Sequence, residues 1–199
     1  MSDALLWQTR ASAWEFLALS FRYPERQLAE IIVSGEWVEA AIEISNALGL
    51  ALPDNFKKSM APYEGVNPDA LLPGLRVEAT RLFVGSPEPV VSPYEGVHRA
   101  AADGVAALLF VNPHSMDVER FMKSYGVGQA EGKNEPLDYV ATECELLEYF
   151  AACECNLVNP VAAIALPDKG WAGAYRSFLL EHASIWMPGF ARVVQQETS

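Results

Sequence analysis

The sequence predicts an all-α fold. Apolar residues recur at the three- and four-residue spacing of helices along most of the chain, as at Trp14, Leu17 and Phe21. Glycine and proline residues separate these stretches, as expected of residues that begin and end helices. We find no run of alternating apolar and polar residues typical of a strand, and no internal repeat. A chain of 199 residues can bury a full core, so we expect one helical-bundle domain over residues 1–199.

The first half of the sequence contains predicted helices and one predicted loop. The helices are expected at residues 4–21, at residues 25–33, between Gly35 and Gly49, and between Pro73 and Gly85. Glycine is common just beyond a helix end because it adopts a left-handed backbone conformation without steric cost. Residues 53–67 contain two prolines and a glycine, and we expect them to form a polar loop.

The second half of the sequence predicts further helices separated by proline and glycine. They are expected at residues 97–111, 115–125, 138–155 and 168–187, and from Phe190 onward after a break at Pro188 and Gly189. Residues 85–93 contain three prolines, which exclude a regular element there. Residues 126–134 contain three glycines and are expected to form a flexible loop.

Charge and composition restrict the possible functions. The formal net charge of −12 argues against a nucleic-acid partner, because phosphate binding requires clustered Lys and Arg. The same charge either attracts basic ligands or only keeps the protein soluble. The first residues have no features of a targeting segment, and no apolar stretch is long enough to cross a membrane. The three cysteines are not spaced as a disulfide framework, so we expect a reduced, cytoplasmic protein.

The helix expected at residues 138–155 carries two acidic residues with open roles. Glu143 falls on its apolar side, where an ionised carboxylate is costly unless it is paired. Glu143 therefore either anchors a basic ligand group or forms an internal ion pair with Arg76 or Arg81. Asp138 falls in the first turn, where a carboxylate either favours its own helix dipole or contacts a ligand.

No set of residues predicts catalysis or a metal site. Cys153-Glu-Cys155 is either a fragment of a metal site or, as we favour, a pair of buried cysteines, since zinc ligands usually have wider spacing and further partners. His182 lies within an apolar stripe and is expected to be a core histidine with a hydrogen-bond partner. Phosphate-binding glycine loops are lacking. We therefore expect a binding protein rather than an enzyme.

The proline-rich segment of residues 85–97 is the main candidate for ligand binding. It carries Val90, Val91 and Tyr94, which a purely solvated loop would not need. Its prolines reduce the conformational entropy lost when the loop becomes ordered. Together with nearby acidic helix starts it could form a groove for an apolar segment with basic flanks, such as a signal peptide. Alternatively, the loop packs on its own core.

Three blocks of residues resemble the signatures of one protein family. These blocks are Glu78-x-x-x-Leu82-Phe83-x-Gly85 with Pro-Tyr-Glu-Gly-Val at residues 93–97, Pro136-Leu-Asp138-Tyr139 with Glu143, and Phe178-Leu-Leu-x-His182-x-x-x-Trp186-x-Pro188-x-Phe190. With them the chain resembles the TorD/DmsD/NarJ-like family of cytoplasmic chaperones for molybdenum-containing redox enzymes. The chain departs from the family's pattern at two positions. Tyr139 stands where the family usually has the His of an Asp-His pair, and Cys144 stands where it usually has a Leu. Tyrosine can hydrogen-bond but stays neutral where histidine titrates.

The resemblance implies a fold, a function and a set of contact residues. The fold would be a TorD-like helical bundle, either monomeric or a dimer that exchanges segments. The chain would bind the twin-arginine leader or the apo catalytic subunit of a molybdenum oxidoreductase until the molybdopterin cofactor is inserted before export. It would need no cofactor of its own. The implied peptide-binding residues are Phe83, Gly85, Pro87, Pro93, Tyr94, Asp138, Tyr139 and Glu143.

Two signature residues are expected to be structural, and two other functions remain open. Leu82 and Trp186 are expected in the core rather than in contact with a ligand. The main alternative is a helical protein that binds a nucleotide or a metal, or a small enzyme, using the segment 85–97. A third interpretation keeps the fold but makes the chain an adaptor for another protein.

Overall fold

The fold is all-α, as predicted. The computed structural model describes residues 2–85, 88–105, 112–128, 136–160, 166 and 170–198. Helices make up most of these residues, which contain no strand and only an isolated antiparallel bridge between Tyr94 and Tyr139. Across the same ranges, no helix is both long and apolar enough to cross a membrane.

The first three helices agree with the sequence prediction. They are Asp3–Phe21 (α1), Arg26–Val33 (α2) and Glu36–Leu48 (α3). The Ser2 side chain begins α1 by accepting a hydrogen bond from the Leu5 N–H at 3.3 Å. Gly49 ends α3 with a φ of +68°, in the left-handed region that favours glycine.

The loop predicted for residues 53–67 is partly wrong. It contains a short helix, Phe56–Met60 (α4), followed by a 3₁₀ turn, Ala61–Tyr63. Pro62 lies in the first turn of that segment, where the missing N–H of proline costs nothing. None of the residues in these two elements is buried, so they contribute little to the core.

Helix Pro68–Ala79 (α5) begins earlier than predicted. Asn67 starts it by accepting a hydrogen bond from the Asp69 N–H at 2.9 Å, and Pro68 occupies the first turn. Pro73 therefore lies inside the helix and does not mark its beginning. A π-helical turn, Thr80–Val84, extends α5 to Gly85.

The next three helices are Glu95–Ala102 (α6), Pro113–Ser124 (α7) and Val140–Glu154 (α8). The helix predicted at residues 97–111 begins at Glu95 and ends at Ala102, and residues 106–111 lie outside the described ranges. The prediction that α8 begins at Asp138 is wrong. The residues before Val140 pair instead with the end of the proline-rich segment, as detailed below.

The last helices form one continuous rod. Gly170–Phe178 (α9) leads into the π-helical turn Leu179–Ala183 and then into Ser184–Glu197 (α10). The predicted break at Pro188 and Gly189 is wrong, because Pro188 lies within α10. The N–H that proline lacks would have bonded to the carbonyl of Ser184. Ser184 is exposed, so water can satisfy that carbonyl.

Helix α8 lies at the centre of the core, packed against α1 and α9. Phe150 and Leu147 of α8 are fully buried. Trp14 of α1 donates its indole N–H to the hydroxyl of Tyr175 in α9 at 2.8 Å, which ties the first helix to the last ones. A second, smaller apolar cluster includes Trp186 and lies beneath the proline-rich segment.

Candidate peptide-binding site

Two of the signature blocks meet as a pair of antiparallel extended segments. The Glu95 N–H donates to the Asp138 carbonyl at 3.0 Å, and the Val140 N–H donates to the Pro93 carbonyl at 2.9 Å. Between these bonds the rings of Tyr94 and Tyr139 lie with their centroids 5.6 Å apart. The proline-rich segment is therefore held against the start of α8 by backbone hydrogen bonds.

The π-helical turn Thr80–Val84 fixes the other end of the proline-rich segment. The Gly85 N–H closes this turn on the Thr80 carbonyl at 2.8 Å, and the Leu82 carbonyl accepts from the Val91 N–H, also at 2.8 Å. Gly85 has a φ of +52°, and a Cβ there would collide with the backbone of Glu88. The first signature block thus encodes a turn that only glycine can end.

A groove of about 830 Å³ opens beside these segments. We define the groove by the end of α1 and the start of α2, residues 79 and 83–84, residues 93–94, residues 122 and 127–128, residues 136, 137 and 139, and one face of α8. Its aromatic lining consists of Phe21, Tyr23, Phe83, Tyr94, Tyr139 and Tyr149. The Tyr139 hydroxyl donates to the Phe21 carbonyl at 2.6 Å, which joins α1 to the start of α8. The groove therefore offers aromatic surface together with tyrosine hydroxyl groups.

Among the residues that the structure describes, three charged residues line the groove, and two of them are acidic. The Nε and Nη2 atoms of Arg22 each lie 2.8 Å from Oε1 of Glu145. Glu25 is exposed and forms no ion pair within the part of the chain that is described. Burial and then the charges of Glu15 and Glu145 raise the pKa of nearby Glu148, while Arg22 lowers it. The groove thus combines an apolar lining with a surplus of negative charge.

Asp138 lies behind the groove and connects two other helices. It is only 1% exposed, and its Oδ2 accepts from the Gly96 N–H at 2.8 Å and from the Ser115 hydroxyl at 2.6 Å. Burial raises the pKa of Asp138, and these hydrogen bonds oppose that rise. Of the two roles left open for Asp138, the one at the dipole of its own helix is wrong, because Asp138 caps the N-terminus of α6.

Glu143 is also buried, with an exposed fraction of 1%. Its Oε2 accepts from the indole N–H of Trp186 at 3.0 Å. Burial and the negative charge of Glu95 raise the pKa of Glu143 well above its ordinary value. The raised pKa favours the protonated form of Glu143.

The proposed ion pair of Glu143 with an arginine is wrong. Arg76 donates to the Pro24 carbonyl at 2.9 Å, and Arg81 pairs with Glu78. Glu143 belongs instead to a set of three buried side chains, Glu95, Asp138 and Glu143, that we call the buried carboxyl cluster. They are close enough that the charges of Glu95 and Asp138 raise the pKa of Glu143, and the charge of Glu95 raises that of Asp138.

Glu95 is the member of the buried carboxyl cluster that sequence reasoning missed. It is fully buried, its Oε1 lies 2.6 Å from Nη1 of Arg99, and it accepts from Nδ1 of His182 at 3.0 Å. The expectation of a core histidine with a partner is confirmed, since His182 is 2% exposed. His182 lies 87 residues from Glu95 in sequence, and the local partner Arg99 gives only the pattern of an ordinary i,i+4 surface pair, so the burial of Glu95 was not predicted.

The implied peptide-binding residues fall into two groups. Phe83, Pro93, Tyr94 and Tyr139 line the groove, and Gly85 ends the adjacent π-helical turn. Asp138 and Glu143 lie in the buried carboxyl cluster, while Pro87 lies outside the described residues. Leu82 and Trp186 are buried, as expected of core positions. Arg22, Glu25 and Glu145 are groove residues that the sequence did not single out.

The described ranges contain no group of three or more His, Cys, Asp or Glu side chains that could hold a metal ion. Cys144 and Cys153 are buried, and Cys155 is half-buried. Burial raises the pKa values of the Cys144 and Cys153 thiols. These thiols therefore stay protonated and make poor metal ligands.

The chain matches the model of a known protein family. The family model for the nitrate reductase delta subunit matches residues 46–192, well over half of the chain. The match includes all three signature blocks and the groove residues from Ala79 to Tyr149, but not the end of α1. Searches of curated proteins and of solved structures returned no match.

Proposed function

The chain belongs to the nitrate reductase delta subunit family, and from this premise we propose that its groove binds the twin-arginine leader or the apo catalytic subunit of a molybdenum oxidoreductase. The family consists of chaperones of molybdoenzyme maturation and not of enzymes. The bound client would be held in the cytoplasm until its molybdopterin cofactor is inserted. The whole chain, residues 1–199, would act as one chaperone domain.

The observation that carries this proposal is the composition of the groove. Its aromatic residues offer apolar contact area at a low cost in side-chain entropy, which suits the apolar part of a leader. Glu25 and Glu145 supply carboxylates facing solvent, and the guanidinium group of arginine binds carboxylates through two parallel hydrogen bonds. The groove thus supports recognition of an apolar segment that carries arginines.

The buried residues support a revised division of roles. Asp138 and Glu143 are among the implied peptide-binding residues, but both are only 1% exposed. We assign them to holding the paired segments that carry Tyr94 and Tyr139. Phe83, Tyr94 and Tyr139 would then provide apolar contacts, and Glu25 and Glu145 the contacts to arginine.

Calorimetric titration with a synthetic twin-arginine leader tests the proposal. Two control peptides replace both arginines, one with lysine and one with glutamine. Lysine keeps the charge but loses the planar fork, so binding should weaken slightly with lysine and more with glutamine. Because exposed ion pairs are weak, we expect about a two- to five-fold loss of affinity per arginine removed. The apo catalytic subunit is tested separately by co-elution in size-exclusion chromatography.

A variant that fills the groove locates the binding site. Thr142 lies on the groove face of α8, so Thr142→Trp should block the leader without removing a core contact. Met116→Trp is the matched control, because Met116 is 52% exposed on α7 and does not line the groove. Equal binding by both variants would place the site elsewhere. Failure of both the leader and the apo subunit to bind the wild-type protein would refute the proposed function.

A further inference from the structure

We propose that Arg22 occupies the position that an arginine of the bound peptide takes, and so competes internally for Glu145. This inference rests on the proposed function. Arg22 follows the last residue of α1, and its guanidinium group contacts Glu145 of α8 at the edge of the groove through both Nε and Nη2 at 2.8 Å. The pair joins residues 123 apart in sequence, and both residues line the groove.

The Arg22–Glu145 pair has the properties of an exchangeable contact. The side chains of Arg22 and Glu145 are 56% and 40% exposed, so water can replace either partner at little cost. Both nitrogen contacts go to the same oxygen, Oε1 of Glu145. A peptide guanidinium that binds both oxygens of Glu145 would have better geometry than Arg22 has.

The surrounding charges favour this exchange. Glu15, Glu145 and Glu148 are close enough that the first two raise the pKa of Glu148, and Arg22 lowers it. If Arg22 moved into solvent without a replacement, Glu145 would be left among like charges. An arginine of the peptide would restore the balance, whereas a neutral side chain would not. The competition with Arg22 would therefore select for a cationic ligand.

Replacement of Arg22 tests this inference against a matched control. Arg22→Gln removes the competitor, and Arg26→Gln removes an equal charge from an exposed ion pair with Glu30 and Asp69 outside the groove. The probes are the twin-arginine leader and the same peptide with both arginines changed to glutamine. We expect Arg22→Gln to bind the arginine peptide about two- to five-fold more tightly than Arg26→Gln does, with no gain for the glutamine peptide.

A second variant shows whether Glu145 is the shared partner. In Glu145→Gln, the further change Arg22→Gln should no longer improve binding of the arginine peptide. If wild-type protein binds the leader but Arg22→Gln binds it equally or more weakly, the competition is refuted while the proposed function stands. If neither wild-type protein nor Arg22→Gln binds the leader, the competition is refuted, and the co-elution test with the apo catalytic subunit then decides whether the proposed function stands. Binding by Arg22→Gln alone would support the competition.

Discussion

Replacing Glu143 with glutamine tests how the buried carboxyl cluster is charged. Glu143 is 1% exposed, accepts a hydrogen bond from Trp186, and has a pKa raised by burial and by Glu95. Glutamine has nearly the same shape, and its amide oxygen can accept the same bond. Its amide N–H can also serve as a hydrogen-bond donor to the Glu95 side chain, as the protonated carboxyl group of Glu143 could. The variant therefore keeps a neutral side chain at this position, and that side chain cannot ionise.

The expected effect depends on pH. In the unfolded chain the carboxyl group ionises near its ordinary pKa of 4.5, whereas folded Glu143 keeps its proton at higher pH. Above that value the folded state binds one more proton, so the free energy of unfolding falls as pH rises, until folded Glu143 itself ionises. One proton corresponds to a loss of about 1.4 kcal/mol per pH unit. Glu143→Gln avoids this loss. Its free energy of unfolding should therefore rise relative to that of wild type by about 1.4 kcal/mol for each pH unit.

Urea unfolding followed by far-UV circular dichroism measures this difference, from about pH 5 to about pH 8. Glu119→Gln is the control, because Glu119 lies in an exposed ion pair with Lys123 and should show no comparable trend. A constant difference between Glu143→Gln and wild type across this range would mean that Glu143 is ionised in the folded protein. A lower stability of the variant at neutral pH would refute the reasoning as well.

Three further predictions concern the contacts behind the groove. Gly96→Ala would place a Cβ 2.9 Å from Oδ2 of Asp138 and should lower the free energy of unfolding by about 2–3 kcal/mol. The control Gly74→Ala has no atom within 4 Å of the added Cβ and should be neutral or stabilising in the same urea assay. Equal effects of the two changes would mean that Gly96 is not closely packed. Tyr139→Phe removes the hydrogen bond to the Phe21 carbonyl and should cost about 1 kcal/mol in thermal unfolding; an unchanged melting temperature would argue against this bond. Asp138→Ala removes the acceptor of the Gly96 N–H and should lower the free energy of unfolding by about 1–3 kcal/mol. It should also weaken leader binding without changing the helical content. Unchanged leader binding would mean that the buried carboxyl cluster does not influence the groove.

The helices were predictable wherever local signals act alone. Gly49 ends α3 through its own backbone conformation, which a sequence pattern can reveal. Pro188 misled the prediction because proline usually interrupts a helix, yet here the affected carbonyl belongs to an exposed residue. Asp138 misled it because its partner is the N-terminus of a different helix, 42 residues away in sequence.

The candidate site was predictable only in part. The signature blocks identified Phe83, Tyr94 and Tyr139, which line the groove. The charged residues of the groove could not be found in this way, because Arg22 and Glu145 look like ordinary exposed residues of two separate helices. Only the packing of α1 on α8 brings them together.

The tie between the first helix and the last ones has a consequence for biosynthesis. Trp14 and Tyr175 are 161 residues apart, and the contact between Tyr139 and Phe21 spans 118 residues. A ribosome adds roughly 5–20 residues per second, so many seconds pass between the synthesis of α1 and that of α8 and α9. During that time Trp14 lacks the Tyr175 hydroxyl that accepts its indole N–H in the folded protein. The protein that we propose as a chaperone therefore has no complete groove to offer a client until α8, which carries the lining residue Tyr149, has been translated.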